Sequence, residues 1–380
     1  MGFSPLFAAS TTQINVQQVE HDRVLKLANQ YLEDQPVTIT AYSAKRSAGG
    51  LHDYYSEGDY WWPDSTKPDG LPYIRRDGMT NPDIFVKHRK VMRRFSIEVG
   101  ALVSAYLLTG DQKYADAAIR HLRAWFITDS TRMNPNLNYA QAIPGRTKGR
   151  GVGIIDTIHL VEVARAIALL DNAGLFTAGQ SSSLHAWFAD YNRWLLNSPN
   201  GIDERDRENN HGTWWTVQVA EFARLNNDES TMEFCRNRYK TVLLPNQVAP
   251  DGKFPLELAR TKPYNYSLFN LDGLAMVCQI LSTSSDNLWE YSTRDGRSMK
   301  KSMEYMYPFI ADKSQWPLKP DVMYFDEWPV RQPSLLFAGL AYDNQNYLNL
   351  WRRLDPMPKS QEGIRNFPIR YPVLWTYGNK

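Results

Sequence analysis

Four side chains in two short stretches could do chemistry. Asn210 and His211, within Glu208-Asn209-Asn210-His211-Gly212-Thr213-Trp214-Trp215, set an amide beside an imidazole, and Arg260 and Tyr266, within Phe254 to Ser267, set a guanidinium near a phenol. An amide and an imidazole can hydrogen-bond a carboxylate and draw off its charge. A phenol carries protons both ways, and a cation beside it favours the phenolate. Such a set suits β-elimination from a uronic-acid polymer. The C6 carboxylate is neutralised so that H5 becomes acidic, H5 is removed, and O4 departs with a proton. Nothing in this scheme calls for a cofactor or a metal.

The elements that must position these residues are helices. From Asn210 onward Val217, Ala220, Phe222, Ala223 and Leu225 form an apolar face, so the polar cluster falls on a helix start, where Asn209 or Asn210 serves as N-cap and free N–H groups favour anions. Pro263 interrupts any helix from Arg260 to Tyr266, which predicts that Tyr266 opens the next one, with Arg260 holding its pKa down. Helical periodicity runs from Val19 to Glu33, a β-like segment covers Val37 to Thr40, and further helices are predicted over 83–108, 112–127, 154–172, 179–197, 211–225, 229–244, 266–281, 297–311, 333–341 and 344–354. Short polar turns at 108–114, 225–229 and 341–345 join successive helices as antiparallel hairpins. Stacked hairpins that curve back on themselves give an all-α, (α/α) toroid with a cleft at one end.

Two loops are expected to line that cleft. Ser43 to Pro82 is a long non-periodic stretch with Tyr60, Trp61, Trp62, Arg75 and Arg76, and residues 138–151 offer Gln141, Arg146, Lys148 and Arg150 on a Gly-rich turn. Aromatic rings hold sugar faces, and arginine with amide side chains grips carboxylates. Trp214 and Tyr264 are assigned to the same binding surface. The acidic run Asp203 to Glu208 lacks the ligand-and-glycine alternation of a calcium loop and reads as a solvated, internally paired loop.

Composition bounds the rest. The 380 residues include 12 Trp and 21 Tyr, more aromatic surface than a core of this size needs. A net charge of +2, from 43 Lys+Arg against 41 Asp+Glu, gives no reason to expect nucleic acid, and no apolar run is long enough to cross a membrane. Cys235 and Cys278 fit neither a disulfide framework nor a zinc spacing. No linker divides the chain, so residues 16–380 are read as one catalytic domain and residues 1–15 as a disordered or processed tail.

Asn209-Asn210-His211-Gly212-Thr213-Trp214 followed by Val217-Gln218, Tyr60-Trp61-Trp62-Pro63 with Tyr73-Ile74-Arg75-Arg76-Asp77-Gly78, and Gly149-Arg150-Gly151-Val152-Gly153-Ile154-Ile155-Asp156-Thr157 together resemble the alginate-lyase superfamily of polysaccharide lyases, of the helical-toroid type. The resemblance spans roughly residues 50–280. It implies an acidic-polysaccharide substrate, a periplasmic or secreted enzyme, and catalytic roles for Asn210, His211, Arg260 and Tyr266, with Tyr264 the competing tyrosine. The N-terminus departs from a clean export pattern. In mannuronate, H5 and O4 lie on one side of the ring, so a single Tyr266 can remove and return the proton. Mannuronate-rich alginate is therefore expected first and glucuronan second. A toroid glycoside hydrolase would need facing carboxylates, for which Asp203, Glu204, Glu257 and Asp326 are candidates. A non-catalytic glycan-binding protein would use the same aromatic cleft.

Overall fold

The computed structural model describes residues 14–378. The expected tail therefore lies outside the described residues except for Ile14 and Asn15, and Asn15 already caps the first helix, accepting from the Gln18 N–H at 2.9 Å.

The helices are α1 (Val16–Tyr31), α2 (Lys87–Thr109), α3 (Gln112–Phe126), α4 (Leu160–Asn172), α5 (Ala178–Asn197), α6 (Pro199–Arg205), α7 (Asn210–Leu225), α8 (Glu229–Arg238), α9 (Leu244–Gln247), α10 (Pro255–Leu258), α11 (Pro263–Leu281), α12 (Met299–Ala311), α13 (Pro333–Ala341), α14 (Gln345–Arg353), α15 (Gln361–Arg365) and α16 (Val373–Thr376). Among the described residues four short strands accompany them: β1 (Tyr55–Glu57), β2 (Trp61–Trp62), β3 (Ile74–Arg75) and β4 (Tyr139–Ala142). The helices form an α/α toroid.

One device recurs in three of the hairpins. The turns joining α2 to α3, α7 to α8 and α13 to α14 each contain a left-handed residue, Gly110 (φ 72°), Asn227 (φ 54°) and Asp343 (φ 48°). Each is followed by an Asx N-cap, Asp111, Asp228 and Asn344, whose side chain accepts from the next helix. The left-handed residue ends one helix, and the cap, worth about 1 kcal/mol, starts its antiparallel partner.

Two helices form the middle of the core. α7 and α11 are buried along nearly their whole lengths, as expected of helices that are apolar on most sides, and they pack against each other. Their approach is close. A Cβ on Gly273 would lie 2.8 Å from the Thr213 methyl and 3.2 Å from the Trp214 indole nitrogen. The first turn of α7 is thereby fixed against the middle of α11, and the candidate chemistry sits on the first turns of the two helices.

Several expectations change. The β-like segment at 37–40 is instead a 3-10 turn at Ile39–Ala41, capped by the Thr38 hydroxyl. The helix expected from 154 begins only at Leu160, after a 3-10 stretch at Gly151–Thr157. α11 starts at Pro263 and not at Tyr266, because proline, with no N–H to leave unpaired, is favoured in the first turn. The long stretch 43–82 is not structureless. β1 pairs in parallel with β4 and β2 pairs antiparallel with β3, which draws it onto the loop at 138–151.

Candidate active site

A cleft of about 300 Å³ opens where these two loops meet the start of α7. Asp59, Tyr60, Trp61, Arg75, Gln141, Arg150, Val152, Arg207, Asn209, His211, Arg260 and Arg365 line it. Five arginines face one aspartate, so the wall is strongly cationic. Water-restricted walls of one sign concentrate an oppositely charged ligand.

His211 lies on the first turn of α7, its side chain 23% exposed. Its Nδ1 is 2.6 Å from Glu204 Oε1, a buried carboxylate on α6. A carboxylate accepts, so in the neutral ring Nδ1 carries the hydrogen and Nε2 is left with its lone pair.

Tyr266, one turn into α11, bonds the Tyr60 hydroxyl across 2.9 Å. The Arg260 guanidinium lies 4.5 Å from the Tyr266 ring centroid and is itself held by Asp77 at 3.1 Å. Burial pushes Tyr266 up to about 12, although Arg260 and the Tyr60 hydrogen bond both pull it down. The expected lowering of the phenol by Arg260 is therefore present and outweighed, because the ring is nearly enclosed.

Asn210 does not line the cleft. It is buried, and its Nδ2 donates to both oxygens of Glu257 at 2.9 Å. Asn209 occupies the cleft wall beside His211, and its side chain caps α7 by accepting from the His211 N–H at 3.3 Å. Trp214 is fully buried, stacked on Phe269 and donating to the Phe269 carbonyl at 3.0 Å. Tyr264 is also fully buried, its hydroxyl on the Phe309 carbonyl at 2.9 Å and its ring edge-on to Trp316 and Phe325. The assignments of Trp214 and Tyr264 to the binding surface are thus corrected. Both face the core because α7 and α11 are buried on most sides, and two positions along a helix turn Tyr264 well away from Tyr266.

The loops divide in the same way. Trp61 lies on the cleft, with the guanidiniums of Arg146 and Arg150 5.2 and 5.7 Å from its ring centroid. Trp62 points to the other side of β2, its ring against Arg76 and its N–H on the Met79 carbonyl. Trp62, Arg76 and Arg146 therefore stand outside the cleft lining, while Arg75 is part of it. Arg150 donates to the backbone and side-chain oxygens of Gln141, each at 3.0 Å, and burial draws its pKa down to about 10, still a cation at neutral pH. Gln141 itself sits at φ 47°, a left-handed conformation held by its N–H bond to Ser56 Oγ.

Beneath the cleft runs a buried charge network that sequence reasoning missed. Asp59 bonds Arg89 and meets Arg365 at 2.9 Å, Arg89 reaches Asp156 at 3.2 Å, and Arg365 meets Glu362 at 3.0 Å. Burial pushes Asp59 up, but Arg365 and Arg89 outweigh it and hold the carboxyl below its usual range. Asp59 was within reach, adjoining Tyr60 and Trp61. Arg365 lies far beyond the recognised motifs. The run Asp203 to Glu208 is in part the paired surface expected, with Arg207 on Asp203 and Arg205 on Asp206, but α6 turns Glu204 inward to His211. Of the carboxylates weighed for hydrolysis, Asp203 is paired with Arg207, Glu204 with His211 and Glu257 with Asn210, while Asp326 is an exposed residue near Lys313. No two of them face each other across the cleft, whose described lining includes only Asp59 as an acid.

The alginate lyase family model matches residues 38–316. Among solved structures, the chain is similar to an alginate lyase from Bacteroides ovatus, with 32% identity, a TM-score of 0.82, and coverage of 94% of this chain and 93% of that one. It is also similar to alginate lyase A1-III from Sphingomonas species A1, at 14% identity and a TM-score of 0.57, covering 93% of this chain and 94% of that one. A histidine-to-alanine variant of A1-III complexed with a tetrasaccharide matches at 14% identity and a TM-score of 0.61, covering 96% and 90%. No curated protein matches significantly.

Proposed function

Since the chain belongs to the alginate lyase family and is a polysaccharide lyase, we propose that it depolymerises mannuronate-rich alginate by syn β-elimination across C4–C5, with Tyr266 as the proton carrier. The observation that carries this reading is the Tyr266 hydroxyl, held by Tyr60 at 2.9 Å with Arg260 against its ring, two residues that line the arginine-walled cleft while Tyr266 itself stands behind that lining. The arginines attract the polyanion, His211 at the start of α7 hydrogen-bonds the C6 carboxylate, and Trp61 offers its ring to a sugar face. In mannuronate H5 and O4 share one side of the ring, so the oxygen that takes H5 can return the proton to O4 with little movement. A complex of the A1-III variant with a tetrasaccharide is consistent with an oligosaccharide-binding cleft in this fold. A polymeric substrate also supports a periplasmic or secreted location.

With Tyr266 near 12, forming its phenolate at neutral pH costs about 7 kcal/mol, at about 1.4 kcal/mol per unit. Part of that returns as reactivity. H5 beside a carboxylate is a weak acid, and a stronger base is better matched to it. The same raised pKa favours a second division of labour, in which His211, oriented by Glu204, removes H5 and Tyr266 only protonates O4. That arrangement would suit α-L-guluronate, where the two groups lie on opposite faces.

The test is release of the unsaturated uronate chromophore from polymannuronate, polyguluronate and glucuronan by wild type and Tyr266→Phe. Wild type should act fastest on polymannuronate, and the variant should lose nearly all activity on it. Near wild-type turnover by Tyr266→Phe removes the tyrosine from the chemistry. Hydrolysis without the chromophore, or binding alone, removes elimination altogether.

A further inference from the structure

Two of the arginines that line the cleft come from distant parts of the chain and end on one carboxylate. Arg75 belongs to β3, and Arg260 lies in the connection between α10 and α11. Asp77 Oδ1 accepts from Arg75 Nη2 at 2.6 Å and from Arg260 Nη2 at 3.1 Å. Its Oδ2 accepts from Arg260 Nε at 3.4 Å and from the Thr261 hydroxyl at 3.1 Å. Burial pushes the Asp77 carboxyl up, but Arg260 and Arg75 outweigh it and hold the group below its usual range. Asp77 itself does not line the cleft.

The turn that carries Asp77 is shaped for this contact. Residues Arg76 to Met79 close through the Met79 N–H on the Arg76 carbonyl at 3.1 Å, and Gly78 sits at φ 73°. A Cβ at Gly78 would run into the Thr261 hydroxyl and lie 3.1 Å from the Val322 side chain, so glycine lets the turn rest against the connection that holds Arg260. The Arg76 N–H bonds the Tyr60 carbonyl at 2.7 Å and ties the same turn to the segment bearing Tyr60 and Trp61.

Two guanidiniums in one cleft repel each other and swing on long side chains. A carboxylate between them removes the repulsion and fixes both. It holds Arg260 along its Nε–Nη2 edge, and among the described residues no acceptor bonds Nη1, which is left for a substrate oxygen.

We propose that Asp77 is a positioning residue for the elimination, joining Arg75 and Arg260 into one clamp for a uronate carboxylate and holding the Arg260 guanidinium on the Tyr266 ring. The proposal rests on the elimination reading above. Asp77 acts through the two arginines and has two opposed effects on the phenol. Its charge disfavours the phenolate, whereas fixing Arg260 4.5 Å from the ring centroid favours it. The other groups acting on Tyr266 are Tyr60, by its hydrogen bond, and Glu362, which is itself paired with Arg365 and Lys262.

Asp77→Asn tests this, because the amide keeps the size of the side chain but its single oxygen cannot serve both arginines. If Asp77 contributed charge alone, the alkaline rise of the pH–rate profile would move to lower pH in the variant. As a positioning residue, its loss frees Arg260 and the rise moves to higher pH. On polymannuronate kcat/KM should fall about 10²-fold, shared between a lower kcat and a higher KM, with little change in melting temperature, since partly exposed ion pairs add little stability. Asp77→Asn and Arg75→Gln should also be non-additive in KM, the double variant losing little more than the worse single one. Asp77→Ser replaces Asp77→Asn if the latter does not fold. A folded variant within threefold of wild type, or one whose profile moves to lower pH, overturns the proposal and leaves elimination standing. If wild type releases no unsaturated product from any polyuronate, the elimination reading falls and this proposal with it.

Discussion

Tyr60 and Tyr266 come from opposite halves of the chain, yet their phenolic oxygens are 2.9 Å apart. One hydroxyl must donate to the other, and the bond lowers Tyr266 against the burial that raises it. Tyr60→Phe removes that help. Its kcat on polymannuronate should fall about tenfold, and the alkaline rise of the pH–rate profile should move to higher pH while KM changes little. Stopped-flow absorbance of the unsaturated product across pH 6–11 is the measurement.

Tyr264 provides the matched control. Its ring is buried, and among the described residues its hydroxyl hydrogen-bonds the Phe309 carbonyl alone. Tyr264→Phe should keep wild-type kcat and lose about 1 kcal/mol of stability, because it leaves a half-buried carbonyl without its donor. Denaturant titration beside an activity assay separates the two tyrosines.

The cationic cleft predicts a salt dependence. Raising ionic strength from about 0.05 to 0.5 M shortens the Debye length several-fold, so KM for long polymannuronate should rise several-fold while kcat stays nearly constant. Arg150→Gln, which removes one of the five arginines, should raise KM at low salt and flatten the salt response.

Glu162 on α4 predicts a pH dependence of stability. It is fully buried, accepts from the backbone N–H groups of Arg370 and Tyr371 at 2.8 and 2.7 Å, and is pushed up to about 7 by burial. Its folded pKa lies above the unfolded value near 4.5, so the folded state binds the proton more tightly. The resulting stabilisation is complete below about pH 4.5 and is lost as pH rises toward 7, on the order of 3 kcal/mol. Glu162→Gln keeps an accepting oxygen and cannot ionise. The difference in unfolding free energy between pH 5 and pH 8 should shrink by about that amount in the variant.

The hairpin turns were legible because their signals are local. A polar turn with an Asx cap reads the same way in sequence and in space at 108–114, 225–229 and 341–345. His211, Arg260, Trp61 and Arg150 line the cleft as expected, but the same aromatic and cationic signal also named Trp62, Arg76 and Arg146, which do not. Directions were harder. Asn209 and Asn210 are identical in type and adjacent, and only the tertiary partners Glu257 and Gln247 tell them apart. The same limit sent Trp214 and Tyr264 to the cleft, since a helix start marks a place in the chain and not a side. Arg365 was invisible for another reason. It joins the site through an ion pair with a residue near the other end of the sequence, and no spacing encodes that.

That ion pair also sets a schedule for biosynthesis. Asp59 emerges early from a ribosome, and its partner on α15 emerges among the final residues described here. Until then a nearly enclosed carboxylate lacks one of its two guanidiniums, and the floor of the cleft is unfinished.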